Sequence, residues 1–254
     1  MSAPIEIVGI SGLPEVAAGD PLGGLIAQAI RTAGEELAGD DVVTISQKVV
    51  SKAEGRVRRL AGLKPGDRAE ELARRLGKDA RMVELILEES AAVLRADRGV
   101  LIVETRSGWI CANAGIDSSN VPGDDRVTLL PTDPDGSARR IRAELRAGTG
   151  VGPAVVIADS FGRPWRLGQT DVAIGCAGLA PLEDWHGRQD RDGRELAATS
   201  IAVADEVAAA ADLARRKDEG TPACVVRGLD RFVISEDGPG AAALRRPAAQ
   251  DLFR

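Results

Sequence analysis

Apolar positions along the chain fall into short blocks whose spacing switches between the two-residue period of strands and the 3.6-residue period of helices. Residues 5–10 form a β-rich run that ends in a Gly/Pro loop, Ser11-Gly12-Leu13-Pro14-Glu15. Asp20 followed by Pro21 reads as the N-cap and first residue of a helix that stops near Gly39. The β-branched run 42–50 predicts a buried strand ending at Ser51-Lys52. Pro65-Gly66-Asp67 opens a helix that Gly77 closes, and residues 78–94 predict another, with Met82, Leu85, Ile86 and Val93 at helical spacing.

Runs 100–105 and 109–114, separated by Arg106-Ser107-Gly108, predict a β-hairpin, and 127–130 a third short strand. Pro134-Asp135-Gly136-Ser137 leads into a helix through Arg146, and 153–158 has the unbroken apolar character of a strand buried on both faces. A helix over 199–216 and a strand over 223–227 complete the pattern. Hairpins mixed with βα units imply an α+β, or mixed α/β, fold over 1–254 with mixed sheets and flanking helices, in one domain or two subdomains.

The 254 residues are 44% hydrophobic and 28% charged, as in ordinary globular proteins. A net charge of −6 argues against a nucleic-acid partner, although local Lys and Arg clusters can still hold small anions. No basic leader precedes the first Lys or Arg, at Arg31, and no apolar run is free of charge for long enough to span a bilayer. Cys111, Cys176 and Cys224 lie apart among apolar residues, which suits reduced core thiols, so a soluble cytoplasmic protein is expected.

The most restrictive feature is a single histidine, His186, in the polar run Asp184-Trp185-His186-Gly187-Arg188; there is no tyrosine. One histidine excludes a His-rich zinc site and an HExxH helix. Any bound metal is therefore expected to have oxygen ligands, as Mg²⁺ or Mn²⁺ does. Neither a GxxxxGK[ST] loop nor a strand-borne GxGxxG is present. Reactive groups instead follow three apolar strands: Lys48 and Lys52, then Asp117, Ser118 and Asn120, then Asp159, Ser160 and Arg163. Taken singly, Asp117 and Asp159 are better explained as turn caps. Together with the lysines they point to a metal-phosphate site. The loop 161–171 carries Arg163, Trp165 and Arg166, suited either to anions or to an ordinary solvated surface, and Gly187-Arg188-Gln189-Asp190-Arg191-Asp192-Gly193-Arg194-Glu195 reads as a polar turn.

Five segments in order are similar to the coenzyme F420-0:γ-glutamyl ligase family. They are Gly12-Leu13-Pro14-Glu15, Val49-Val50-Ser51-Lys52-Ala53-Glu54-Gly55-Arg56, Ala114-Gly115-Ile116-Asp117-Ser118-Ser119-Asn120, Asp159-Ser160-Phe161-Gly162-Arg163 and Val203-Ala204-Asp205-Glu206. The resemblance implies that family's fold and a homodimeric, GTP-dependent enzyme joining L-glutamate to coenzyme F420-0. It implies two divalent cations, Mg²⁺ or Mn²⁺, with K⁺ as a further candidate ion. Asp117 and Asp159 then stand as ligands of one metal, and Ser160 touches the second. The guanine nucleotide would meet Leu13, Pro14, Glu15, Val16, Gln47, Lys48, Lys52 and Asn120, and the loop with Arg216, Lys217, Asp218, Glu219 and Gly220. Lys52, Asp159 and Arg163 are the residues implied for catalysis.

The sequence departs from the family at Arg215-Arg216-Lys217, near a second-metal ligand that Asp218, Glu219 or water would have to replace. Those basic residues either border the nucleotide or simply end the preceding helix, with Arg215 closer to the second reading and Lys217 to the first. Asp251-Leu252-Phe253-Arg254 resembles the point where some members continue into a flavin-binding domain. Two other classes stay open: another metal- and nucleotide-dependent transferase on an anionic acceptor, and a nucleotide-binding module without catalysis.

Overall fold

Strands whose side chains are apolar on both faces need cover on both, and the central sheet meets that demand with helices on each side. The computed structural model describes residues 4–119, 123, 125–215 and 219–252. In chain order the first half runs β1 (Glu6–Ile10), α1 (Leu22–Thr32), β2 (Val42–Ser46), α2 (Gln47–Ala53), β3 (Val57–Arg59), α3 (Asp67–Leu76) and α4 (Ala80–Glu88). Then come β4 (Ser90–Asp97), β5 (Val100–Thr105), β6 (Ile110–Ala112), β7 (Arg126–Thr128) and α5 (Pro134–Thr149). The last part holds β8 (Ala154–Arg163), β9 (Arg166–Ala177), β10 (Glu183–Asp184), β11 (Ser200–Ile201), α6 (Val203–Asp212) and β12 (Ala223–Arg227). The fold is α+β, as the sequence pattern predicts.

The main sheet has the order β1-β12-β2-β8-β9. Its β2 and β8 are parallel, and the other neighbours are antiparallel. On one face Ile10, Val43, Ile45, Val155 and Ile157 pack against Ile26, Ile30, Ile141 and Leu145 of α1 and α5. On the other, Val42, Val156, Cys176 and Val226 meet Val207, Ala208 and Ala211 of α6. A smaller antiparallel sheet, β4-β5-β6, packs with α3 and α4, and β3 pairs with β7 beside it. Among the described residues no helix is long and apolar enough to cross a membrane.

Several sequence expectations change. The run 42–50 is strand only as far as Ser46, where the register with β8 ends, and Gln47 begins α2. The helix expected over 78–94 stops at Glu88, because the residues beyond it pair with β5 as β4; tertiary pairing outweighs local propensity here. The loop expected over 161–171 is strand, the far end of the long β8–β9 hairpin. The helix expected over 199–216 is α6 alone and ends at Asp212. Pro21 occupies the N-cap of α1, whereas Asp20 caps a turn by accepting from the backbone N of Ala17 at 2.8 Å.

Candidate active site

Because β2 and β8 are parallel and in register from Val42/Ala154 to Ser46/Ala158, their carboxyl ends deliver the next residues to one place. Crevices outside such strand ends are where open sheets commonly bind ligands. A cavity of about 690 Å³ opens there. Its walls come from the loop after β1, from α2, from the turn after β6, from the β8–β9 hairpin and from the segment after α6.

Helix α2 places Lys48 and Lys52 one turn apart, both on the cavity wall. Lys48 Nζ lies 2.8 Å from Asp117 Oδ2 and also donates to Ser119 Oγ. Lys52 Nζ lies 2.7 Å from Glu15 Oε1. Leu13, Pro14, Glu15 and Val16 line the same wall.

Asp117 is held by its backbone, which pairs with Thr128 of β7, and by Ser119 N, which donates to its Oδ1 at 2.7 Å. Burial alone would raise its pKa, but Lys48 and the Ser119 donors together outweigh that and hold it below the usual carboxylate range. Just before it, Asn113, Ala114 and Gly115 all adopt positive φ (53°, 56° and 68°). A Cβ at Gly115 would sit 2.7 Å from Leu130 Cγ, so the close approach itself requires glycine. This turn puts Asn113 on the cavity wall, its buried Oδ1 without a partner among the described residues.

The opposite wall is the hairpin. Ser160 faces Asp171 across the β8–β9 ladder and donates to its Oδ1 at 2.7 Å. Arg215 Nη2 donates to Asp171 Oδ2, and Asp212 Oδ1 lies 3.8 Å from the same nitrogen. Asp159, next to Ser160, is pushed up to about 7, first by burial and then by the charges of Asp171 and Asp117, while the Ser160 backbone N–H and Lys48 pull it down. Such a carboxyl binds a proton or a cation readily. Burial pushes the Cys111 thiol, also on the wall, up to about 12, so it is no thiolate nucleophile.

The residues singled out in the sequence separate accordingly. Asp117, Asp159, Ser160, Lys48, Lys52 and Gly220 come together around the cavity. Gln47 faces the interior, 1% exposed, where its Oε1 accepts from Ser51 Oγ. Glu219 is exposed and off the cavity wall. Arg163 stands outside the cavity near the hairpin tip, exposed, with Nη2 donating to Leu167 O. His186 is exposed in the turn after β10, its ring against Asp184. Asn120, Arg216, Lys217 and Asp218 lie outside the described residues. Sequence reasoning missed Asn113, Asp171 and Arg215 as parts of one site. Only the register that sets Ser160 directly opposite Asp171, invisible before the hairpin is known, pairs the two.

Asp117 and Asp159 suit a hard cation, since both are carboxylates facing one cavity. Among the described residues no three of His, Cys, Asp and Glu converge into a closed cage. A cation held here would draw its remaining ligands from water and from a bound phosphate, which is how Mg²⁺ is commonly held.

These features define an α+β protein with a histidine-free site of carboxylates and ammonium groups at the carboxyl ends of its parallel strand pair. A family model described as F420-0:Gamma-glutamyl ligase matches residues 11–228. Over 251 residues the chain is 46% identical to the coenzyme F420:L-glutamate ligase of Methanothermobacter thermautotrophicus, covering 98% of this chain and 99% of that one. It is 44% identical to proteins of the same name from Haloarcula marismortui (98% and 96% covered) and Methanopyrus kandleri (94% of each). The chain belongs to the F420-0:γ-glutamyl ligase family.

Proposed function

We propose that this chain forms the amide between L-glutamate and the terminal carboxylate of coenzyme F420-0, using GTP to activate that carboxylate. The observation that carries the reading is the convergence, in one cavity, of two lysines on α2 with Asp117, Asp159 and Ser160. The relatives' shared name supplies the substrates.

In the first step a carboxylate oxygen of the coenzyme attacks the γ-phosphorus of GTP. The bond to the β,γ-bridging oxygen breaks, and GDP leaves with its electron pair. The resulting acyl phosphate is then attacked at carbon by the amine of glutamate; phosphate departs and the nitrogen gives up a proton to solvent. Neither step asks for a histidine. Phosphoryl transfer depends mainly on positioning and on stabilising charge. Lys48 and Lys52 provide fixed positive charge along one wall, with Lys48 oriented by Asp117 and Lys52 by Glu15. A divalent cation, Mg²⁺ or Mn²⁺, held by Asp117 and Asp159 would neutralise charge on the phosphoryl oxygens. Leu13 to Val16 offer the wall against which a nucleotide lies. Arg163 and Arg166, exposed at the hairpin, would meet the outer anionic parts of an extended coenzyme rather than the reacting atoms.

The test is direct: purified protein is incubated with GTP, Mn²⁺, L-glutamate and F420-0, and the product is weighed by mass spectrometry. A mass gain of one glutamyl residue with release of GDP is expected. Nucleotide binding without any mass gain would leave a non-catalytic module, and GTP hydrolysis with a different acceptor would indicate another transferase.

A further inference from the structure

Among the described residues, the corner of the cavity formed by Ser160 and Asp171 does not offer what a second divalent cation needs. Asp171 is 3% exposed and both of its oxygens are engaged, Oδ1 by Ser160 Oγ and Oδ2 by Arg215 Nη2. The Arg215 side chain is 6% exposed and lies on the cavity wall. A guanidinium is charged at every working pH. Buried beside Asp171, it already supplies the positive charge that this carboxylate would otherwise seek from a metal. Of the other acids of the site, Asp117 already has Lys48 Nζ 2.8 Å from its Oδ2. The cluster of Asp117, Asp159, Asp171, Asp212, Lys48 and Arg215 thus carries four carboxyls against two resident cations.

Arg215 also has donors to spare. Its Nε and Nη1 are buried and have no hydrogen-bond partner among the described residues, an unusual state for a charged group in a folded interior. A donor left in that state beside a cavity is accounted for when a ligand oxygen completes it.

We propose that Arg215 takes the place of a second divalent cation: the site binds one such ion, on the Asp117–Asp159 side, and the guanidinium receives a phosphoryl oxygen at the Ser160–Asp171 corner. The proposal rests on the phosphoryl-transfer reading above and deepens it. Planar guanidinium groups are well suited to this task, because their fork of N–H donors matches the spacing of phosphoryl oxygens.

The experiment counts ions rather than turnover. Mn²⁺ is titrated into the full-length protein with one equivalent of a non-hydrolysable GTP analogue. Bound ion is read by electron paramagnetic resonance, as loss of the free-ion signal and as the spectrum of the bound ion. One Mn²⁺ per chain, with the spectrum of an isolated ion, is expected. Two ions per chain with the spectrum of a coupled pair, as for metals about 3.5–4 Å apart, would overturn the proposal and leave the ligase reading standing. No bound Mn²⁺ at all would overturn both. Arg215→Gln is expected to raise the count to two by freeing Asp171, and a count still at one would contradict the assignment. Because removing Arg215 strands a buried carboxylate and can prevent folding, Arg215→Lys serves beside it. That variant keeps the charge and is expected to hold one ion with weakened binding of the analogue; a count of two would again overturn the proposal.

Discussion

The two halves of the β8–β9 hairpin are made by the same pair of strands and could hardly differ more. In the inner half, Ala154 to Ala158 on β8 and Ala173, Ile174, Cys176 and Ala177 on β9 are at most 1% exposed, sandwiched between α5 and α6. In the outer half Trp165 is 83% and Leu167 98% exposed, and the backbone takes positive φ at Trp165 in the turn and at Gly168 in β9. Asp159, Ser160 and Asp171 sit on the seam between them. The seam combines the rigidity of a packed sheet with access to a cavity, which is what a group that must be held accurately and still meet a ligand requires. Apolar packing up to residue 158 fixes the backbone, and the next two residues spend that rigidity on chemistry.

The comparison breaks most visibly at Asp159. Asp159→Asn should lower glutamate ligation by roughly a hundred- to a thousandfold, the scale of losing a preorganised charge-stabilising group, with the fold retained. Steady-state rates and a circular dichroism spectrum check both halves of that statement.

Stability should follow the same division. Ile157→Ala, in the inner half, is expected to cost about 2–5 kcal/mol through the cavity it leaves. Leu167→Ala, in the outer half, should stay within about 0.5 kcal/mol, the usual range for exposed positions. Urea denaturation of the two variants measures the difference, and equal losses would show that the tip is packed in solution.

The raised pKa of Asp159, about 7, sets a pH dependence. Between the ordinary carboxylate value and 7 the folded, metal-free chain holds a proton that the unfolded chain has released. This group's contribution to stability therefore falls as pH rises through that window and is constant above it. Cation binding runs the other way, since the ion must displace the proton. Mn²⁺ affinity should rise about tenfold per pH unit below 7 and level off above it. Calorimetric titration from pH 5.5 to 8.5 would detect the bend, and a flat profile would remove Asp159 from the ion's ligands.

Lys52→Ala removes a positive charge from the nucleotide wall and frees Glu15. A loss of about tenfold in affinity for GTP is expected, roughly 1.4 kcal/mol, with a steeper salt dependence in the wild type than in the variant. Unchanged affinity would make Lys52 a structural partner of Glu15 only.

Much of this architecture is legible in the sequence, and the failures have physical causes. The strands 100–105 and 223–227, the αL stop at Gly77 and the helix from Pro134 announce themselves through turn residues and apolar spacing. The run 42–50 misleads because Val49 and Val50 favour strands, yet pairing with β8 ends at Ser46 and the chain turns into α2. The strand reading would set Lys48 and Lys52 by an even period; the helix puts them on one face for a different reason, the 3.6-residue turn. The outer hairpin is unreadable because both of its faces meet solvent, so no alternation marks it as strand. Arg215 looks like a residue closing a helix, and nothing local reveals that Asp171 awaits it 44 residues earlier in the chain.

The most direct measurement sets the seam against the tip in one assay: glutamate added to F420-0 per second, by mass spectrometry, for the wild type, Asp159→Asn and Arg163→Ala side by side. Loss of turnover in Asp159→Asn is expected, together with an Arg163→Ala enzyme whose kcat stays within about threefold while KM for the coenzyme rises, the pattern of lost binding outside the reacting centre. Wild-type turnover in Asp159→Asn, or an equal collapse of kcat in both variants, would contradict the placement of the chemistry at the seam.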